Sequence, residues 1–122
     1  MTLSIRLVVL AGFRSAEGRL GCKLFARPDG FPEGEAERRV APIVEAKGTC
    51  RFEQVRAGTF AVAVMHDQNA NDKLDKNFFG VPTEGYGVSG NKTHALSAPT
   101  WEESKFTLEA GETKVLQVSL RY

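Results

Sequence analysis

The chain has 122 residues, of which 42% are hydrophobic and 25% charged, and its formal net charge is +1. This length suffices for one domain with one core, so we expect a single domain over residues 1–122. Basic residues form no stripe, which argues against nucleic-acid binding because phosphates require clustered Lys and Arg. No run of about 18 apolar residues occurs, so no transmembrane helix is predicted.

The dominant pattern is an alternation of apolar and polar residues with period two, which is typical of β-strands. Turn residues such as Pro28-Asp29-Gly30 and Ala57-Gly58 separate the alternating segments. Seven strands are predicted: Leu3–Leu10, Arg19–Ala26, Val40–Ala46, Thr49–Val55, Thr59–His66, Lys105–Ala110 and Lys114–Tyr122. Seven short strands in a chain of this length favour an all-β fold, a single antiparallel β-sandwich.

Two short helical turns and one long excursion interrupt the strands. Pro32–Arg39 has proline near its first turn and acidic residues early, and Thr100–Ser104 has Thr100 as an N-cap with Glu103 three residues on. Between Asp67 and Pro99 no strong strand pattern appears, so we expect one excursion rich in Asn, Asp and Gly. A loop of this length in a compact domain is usually functional, or else it contains secondary structure that the pattern does not reveal.

The two cysteines, Cys22 and Cys50, both lie in predicted strands. Cys22 shares a face with Leu20 and Leu24, and Cys50 shares one with Phe52, so both side chains should point inward. Two interpretations stay open: buried thiols that act as small hydrophobic residues, or a disulfide formed in an oxidising compartment. The absence of a CxxC spacing argues against thioredoxin-like redox chemistry.

The excursion opens with a regular series of side chains that carry oxygen, in the segment H-D-Q-N-A-N-D-K-L-D-K-N that begins at His66. Hard cations bind such arrays, and calcium loops of the helix-loop-helix type use the same early spacing. The predicted calcium ligands are Asp67, Asn69, Asn71, Lys73 (through its carbonyl) and Asp75. The alternative is a loop held by Asx turns without an ion. Both interpretations stay open, and no cofactor other than calcium is predicted.

A weaker candidate ligand site is formed by His66, Glu84, Tyr86 and Trp101. Tyr86 lies between two glycines, which allow a ligand or a strand edge to approach closely. An exposed Tyr86 or Trp101 would offer a stacking surface for a sugar or a peptide. His66 itself is expected to be half-buried at the end of its strand and bonded to the loop backbone.

Catalysis finds little support in the sequence. Ser89, His66 and Asp67 could be drawn as a triad, but neighbouring side chains on a strand point to opposite faces, which is poor geometry. No nucleophile elbow is present. We therefore predict no catalytic residues and no enzyme activity.

The segment from Phe60 to Ser89 resembles the bacterial family called "domain of unknown function 2141". The G-R-L-G-C-K-L-F-A strand, the Gly30-Phe31-Pro32 turn, the Ala57–Val62 entry and the final strand ending in Arg121-Tyr122 are also similar to that family. The resemblance implies a small protein exported from Gram-negative cells, a transthyretin-like or immunoglobulin-like sandwich, and no assigned activity. Asp72 departs from the family pattern, which commonly has glycine there.

The start of the chain does not read as a signal peptide, because its apolar run from Leu7 is short and Arg6 interrupts the pattern. Met1 is either a start residue or an addition to a mature chain. The resemblance and the composition together predict a non-enzymatic extracytoplasmic binding or structural module, periplasmic or secreted, with a protein or carbohydrate partner. The alternative is a carbohydrate- or small-ligand-binding domain that uses the long loop after His66, and a cytoplasmic location stays open.

Overall fold

β-Strands form where the alternation of apolar and polar residues gives a segment one face to bury. The computed structural model describes residues 4–10 (as backbone), 19–32, 34–43, 48–53, 55–67, 85–92, 99–109 and 112–120. These residues contain eight strands and one short helix. The strands are β1 (Ser4–Leu10), β2 (Arg19–Phe25), β3 (Glu37–Ala41), β4 (Gly48–Glu53), β5 (Gly58–Asp67), β6 (Tyr86–Val88), β7 (Phe106–Leu108) and β8 (Thr113–Ser119), and the helix is α1 (Trp101–Ser104).

The strands form two sheets. One has the order β4-β1-β8 and the other the order β3-β2-β5-β6, with β7 paired to the first residues of β5. The predicted all-β class with mainly antiparallel pairing is confirmed. One pair differs, because β1 and β8 run parallel, from Ser4 beside Thr113 to Leu10 beside Ser119. These strands lie far apart in the sequence, so no tight hairpin forces them to be antiparallel.

The hydrophobic core draws on both sheets. In β4 the alternation is complete, since Gly48, Cys50 and Phe52 are buried while the residues between them are exposed. The five-stranded sheet contributes Leu20, Cys22, Leu24, Ala41, Phe60, Val62 and Val64, and the three-stranded sheet contributes Cys50, Phe52 and Val118. Burial of each large apolar side chain stabilises the fold by about 1.5–3 kcal/mol, so this shared face is its main source of stability.

A disulfide joins the two sheets. It links Cys22 of β2 to Cys50 of β4, whose Cα atoms are 6.6 Å apart. The two residues are 0% and 2% exposed. Of the two alternatives that the sequence leaves open, the structure therefore contains the disulfide rather than two buried thiols. Closing a loop across a sequence separation of 28 residues contributes about 3–4 kcal/mol by the chain-entropy model.

The predicted helical turn at Pro32–Arg39 is wrong. β3 already begins at Glu37 and pairs with β2 along its whole length, so the predicted strand Val40–Ala46 starts too late. The chain reverses instead in a turn in which the Phe31 N–H donates to the Pro28 carbonyl at 3.1 Å. The proline and the acidic residues thus belong to a hairpin connection, where pairing with β2 overrides the local helix signal.

The second helical turn is confirmed as α1. Thr100 is its N-cap, and the Glu103 N–H donates to the Thr100 hydroxyl oxygen at 3.3 Å. The Thr100 hydroxyl in turn donates to the Glu103 carboxylate at 2.9 Å. The Thr-x-x-Glu spacing therefore caps the helix as a capping box would, with the carboxylate bonded to the hydroxyl rather than to the Thr100 backbone.

β6 is a strand that the sequence did not predict, and Gly87 at its centre brings it close to β8. A Cβ built at Gly87 would lie 2.9 Å from Val118 Cγ1, and closer still to the Ser119 carbonyl oxygen. Tyr86–Val88 is too short to show an alternation, and its strand form comes from pairing with β5. The absence of a side chain at Gly87, beside Tyr86, therefore allows the close approach of β8 from the other sheet rather than of a ligand.

We predict that Gly87→Ala destabilises the protein by about 1–3 kcal/mol, because the added methyl has no space beside the backbone of β8. Gly21→Ala is the matched control, since its Cβ would meet the flexible Met65 side chain at 3.3 Å. Urea unfolding of both variants measures the difference. Equal unfolding midpoints for the two variants would show that the approach of β6 to β8 is not tight.

Candidate functional site

His66 lies at the end of β5 with its side chain on the core-facing side of the sheet. Its partner on the neighbouring strand β2 is Leu20, and both residues are 0% exposed. The backbone N–H of His66 donates to the Gly85 carbonyl at 2.8 Å, which extends the pairing of β5 with the start of β6. The imidazole is thus more deeply buried than the half-buried position predicted for it.

Asp67, the next residue, lies on the opposite face of β5 and pairs with Arg19 of β2. The Arg19 Nε is 3.5 Å from Asp67 Oδ2, and the side chain of Asp67 is 1% exposed while that of Arg19 is 34% exposed. A buried carboxylate requires such a partner, because burial of an isolated charge is costly. Any cation bound at Asp67 would have to share this carboxylate with the guanidinium group.

The predicted calcium site extends beyond the described part of the chain. Asn69, Asn71, Lys73 and Asp75 lie outside the described residues, as does Glu84. Within the described residues, no three side chains of His, Cys, Asp or Glu are grouped so as to hold a metal ion. The calcium hypothesis and its Asx-turn alternative therefore stay predictions.

Tyr86 does not share a face with His66. It pairs with Met65, so its side chain lies on the outer face of the five-stranded sheet while His66 faces the core. Gly21 lies on the other side of Met65 in the same row, and Tyr86 is half-buried. The register thus separates two of the residues that the sequence grouped into one ligand site.

Trp101, the remaining member of that group, belongs to an aromatic cluster. Its ring centroid is 6.2 Å from that of Phe31, which is 5.2 Å from Phe25, and both pairs meet edge to face. Such pairs stabilise by about 0.5–1.5 kcal/mol beyond their area. Trp101 is half-buried, so part of its ring packs on the protein.

Ser89 holds three parts of the structure together. Its N–H donates to the Val62 carbonyl at 3.0 Å, and its hydroxyl oxygen accepts from the Val62 N–H at 3.0 Å. The hydroxyl proton goes to the carbonyl of Ser104 at the end of α1. The side chain therefore continues the ladder between β5 and β6 and attaches the helix to it, so this proton is not directed at a base.

Asn91 attaches the turn after β6 to the edge of β8. Its φ of 60° is in the left-handed region, which Asn tolerates better than most residues. The side-chain amide donates to the Gln117 carbonyl at 3.3 Å, and its oxygen accepts from the Ser119 N–H at 2.9 Å. One side chain thus satisfies two backbone groups of an edge strand.

A cleft of ≈ 660 Å³ lies at the opposite end of the five-stranded sheet from His66. It is bounded by the end of β2, the approach to β3 and the start of β5. Its lining residues are Leu24, Phe25, Ala26, Arg27, Asp29, Glu35, Ala36, Glu37, Val55, Arg56 and Phe60. No residue of this cleft is among the predicted site residues.

A family model described as "Uncharacterized protein conserved in bacteria (DUF2141)" matches residues 8–116. The chain belongs to this family. No curated protein and no solved structure matches the chain. In the described part of this DUF2141 protein, no helix is long and apolar enough to cross a membrane.

Two features of the DUF2141 chain do not follow from its sequence pattern. The bonds of Ser89 are one of them, although a serine directly after the apolar Val88 is well suited to end a strand with a side-chain bond. The cleft could not be found, because its floor combines Leu24, Val55 and Phe60, which the fold brings together from separate segments.

We predict that Ser89→Ala costs about 2–4 kcal/mol of unfolding free energy, because it leaves the Val62 N–H and the Ser104 carbonyl buried without partners. Ser104→Ala is the matched control. The Ser104 hydroxyl is buried and finds no hydrogen-bond partner among the described residues, so its removal should be neutral or stabilising. Thermal unfolding of both variants measures this, and a Ser104→Ala cost as large as that of Ser89→Ala would contradict it.

Proposed function

We propose that this DUF2141 protein is a non-enzymatic extracytoplasmic binding or structural module. The observation that carries the proposal is the buried disulfide between Cys22 and Cys50. Disulfides persist in periplasmic and secreted proteins, whereas cytosolic reductants keep thiols reduced. A covalent link inside the core therefore favours a protein that folds and acts in an oxidising compartment.

The proposed architecture is a β-sandwich of the immunoglobulin-like or transthyretin-like type. Three features support it: both sheets contribute to one core, the disulfide crosses from β2 to β4, and Gly87 of β6 approaches Val118 of β8. Two sheets packed through their inner faces meet in this way. Such a scaffold suits a binding or structural role, since its loops are held by a rigid frame.

The use of the buried polar groups supports a non-enzymatic role. The buried polar residues in the described part of the chain are His66, Asp67, Ser89 and Ser104. Ser89 bonds to backbone groups, Asp67 pairs with Arg19, and His66 lies on the face of β5 opposite to Asp67. A nucleophile needs its proton directed to a base, and this arrangement lacks that contact at Ser89.

We predict that the protein isolated from its natural host fractionates with the periplasm or medium and contains no alkylatable thiol after unfolding without reductant. In vitro, a reductant should lower its melting temperature, because loss of the link removes about 3–4 kcal/mol by the chain-entropy model. The double variant Cys22→Ala/Cys50→Ala is the control, and the reductant should leave its melting temperature unchanged. Two thiols that react in unfolded protein from the cytosolic fraction would defeat the extracytoplasmic proposal, since Cys22 and Cys50 are buried in the folded state.

The loop after β5 is proposed to bind calcium as part of this module. An ion that binds only the folded state raises the melting temperature by mass action. Asp75→Ala should abolish that rise, and Asp29→Ala, which removes an exposed acid elsewhere, should retain it. A melting curve that is the same in millimolar calcium and in chelator would leave the Asx-turn interpretation in its place.

A further inference from the structure

The cleft between the end of β2 and the start of β5 has the form of a small-ligand site. Pairing between these strands stops at Phe25 opposite Ala61, while β5 continues back to Gly58. The chain then leaves β2 and returns at β3. The cleft bounded by this connection and the start of β5 has a volume of ≈ 660 Å³. Ligand sites in proteins commonly have volumes of roughly 300–1,000 Å³.

The floor of the cleft is apolar. It is formed by Leu24, Phe25, Val55 and Phe60, whose exposures are 5%, 2%, 8% and 5%. These side chains also belong to, or border, the hydrophobic core, so their positions are fixed by packing. An apolar group of a ligand would therefore meet a preformed surface, and the apolar area removed from water on contact would be mainly that of the ligand.

The rim of the cleft carries charges of both signs. Arg27 and Arg56 are exposed cations, and Asp29 and Glu35 are exposed acids. Within the described part of the chain, none of these four side chains has a hydrogen-bond or ion-pair partner. Glu37, by contrast, is paired with Arg39 at 3.0 Å. The rim thus offers two uncommitted cations and two uncommitted carboxylates above an apolar floor.

We infer that this cleft binds a short peptide with free termini and an apolar side chain. The guanidinium groups bind the peptide carboxylate, for which their planar fork is suited. The carboxylates of Asp29 and Glu35 bind the terminal ammonium group, and the apolar side chain rests on Leu24 and Phe60. A purely anionic ligand fits less well, because the two acids would repel it.

This inference deepens the proposed function, since it supplies the ligand of a binding module. It places that ligand at the end of the sheet opposite to His66 and the Asp/Asn-rich loop. It rests on the cleft alone and needs neither calcium nor the loop.

The test is isothermal titration calorimetry of the oxidised protein with the tripeptide Ala-Phe-Ala. The free tripeptide should bind, and acetylation of its amino group or amidation of its carboxylate should each weaken binding about three- to tenfold, as expected for charged contacts at an exposed rim. Replacement of the central residue by serine should weaken binding further, because the floor then loses its apolar partner.

Variants at the rim assign each contact. Arg27→Gln/Arg56→Gln should remove the preference for a free carboxylate but keep the preference for a free amino group. Asp29→Asn/Glu35→Gln should do the reverse. Arg51→Gln and Glu109→Gln, which alter exposed charges outside the cleft, should bind like the unaltered protein. All substituted side chains are exposed, so unchanged melting temperatures are expected.

No heat of binding at millimolar tripeptide would overturn the inference, as would binding that is insensitive to both capping groups and to the rim variants. Neither result bears on the disulfide or on the cell fraction that contains the protein, so the proposed extracytoplasmic location would still stand. Conversely, a reduced cytosolic protein that binds the tripeptide with these preferences would defeat the proposed location while supporting the cleft.

Discussion

The apolar face shared by the two sheets, with the Cys22–Cys50 bond through it, is the constraint on which the structure depends. β2 supplies one cysteine from within the five-stranded sheet, and β4 supplies the other from the edge of the three-stranded sheet. Apolar burial alone is non-directional and would permit the sheets to shift against each other. A covalent link between named positions removes that freedom, so the register within each sheet also decides which residues meet across the core.

β5 shows how this constraint decides on which face of the sheet each polar side chain lies. Its alternation directs His66 toward the core and Asp67 to the outer face, and its neighbours follow, since Leu20 pairs with His66 and Arg19 pairs with Asp67. Polar groups that a reader of the sequence would gather into one site are therefore divided between two faces. Among the described residues, an accessible cleft lies at the opposite end of the sheet, where β2 and β5 separate and exposed charges surround an apolar floor.

Long alternating segments could be predicted from the sequence, because a strand with one buried face shows apolar residues at every second position. This holds for β2, β4 and β5, for the inward direction of Cys22 and Cys50, and for the Thr100 cap of α1. β6 has three residues and is too short to show such an alternation. Pairing between β1 and β8, the Ser89 bonds and the cleft each join segments distant in sequence, so no local pattern specifies them.

The parallel pairing of β1 with β8 has a mechanical consequence. In parallel neighbours the N-terminal end of one strand lies beside the N-terminal end of the other, so Ser4 and Ser119 are at opposite ends of the pair. A tension applied between them would load the hydrogen bonds of seven residues in β1 together, in shear, rather than opening them one after another. The Cys22–Cys50 bond would then keep the segment it closes from extending. The β1–β8 pair would therefore resist a force along its strands more strongly than a force that separates them one hydrogen bond at a time.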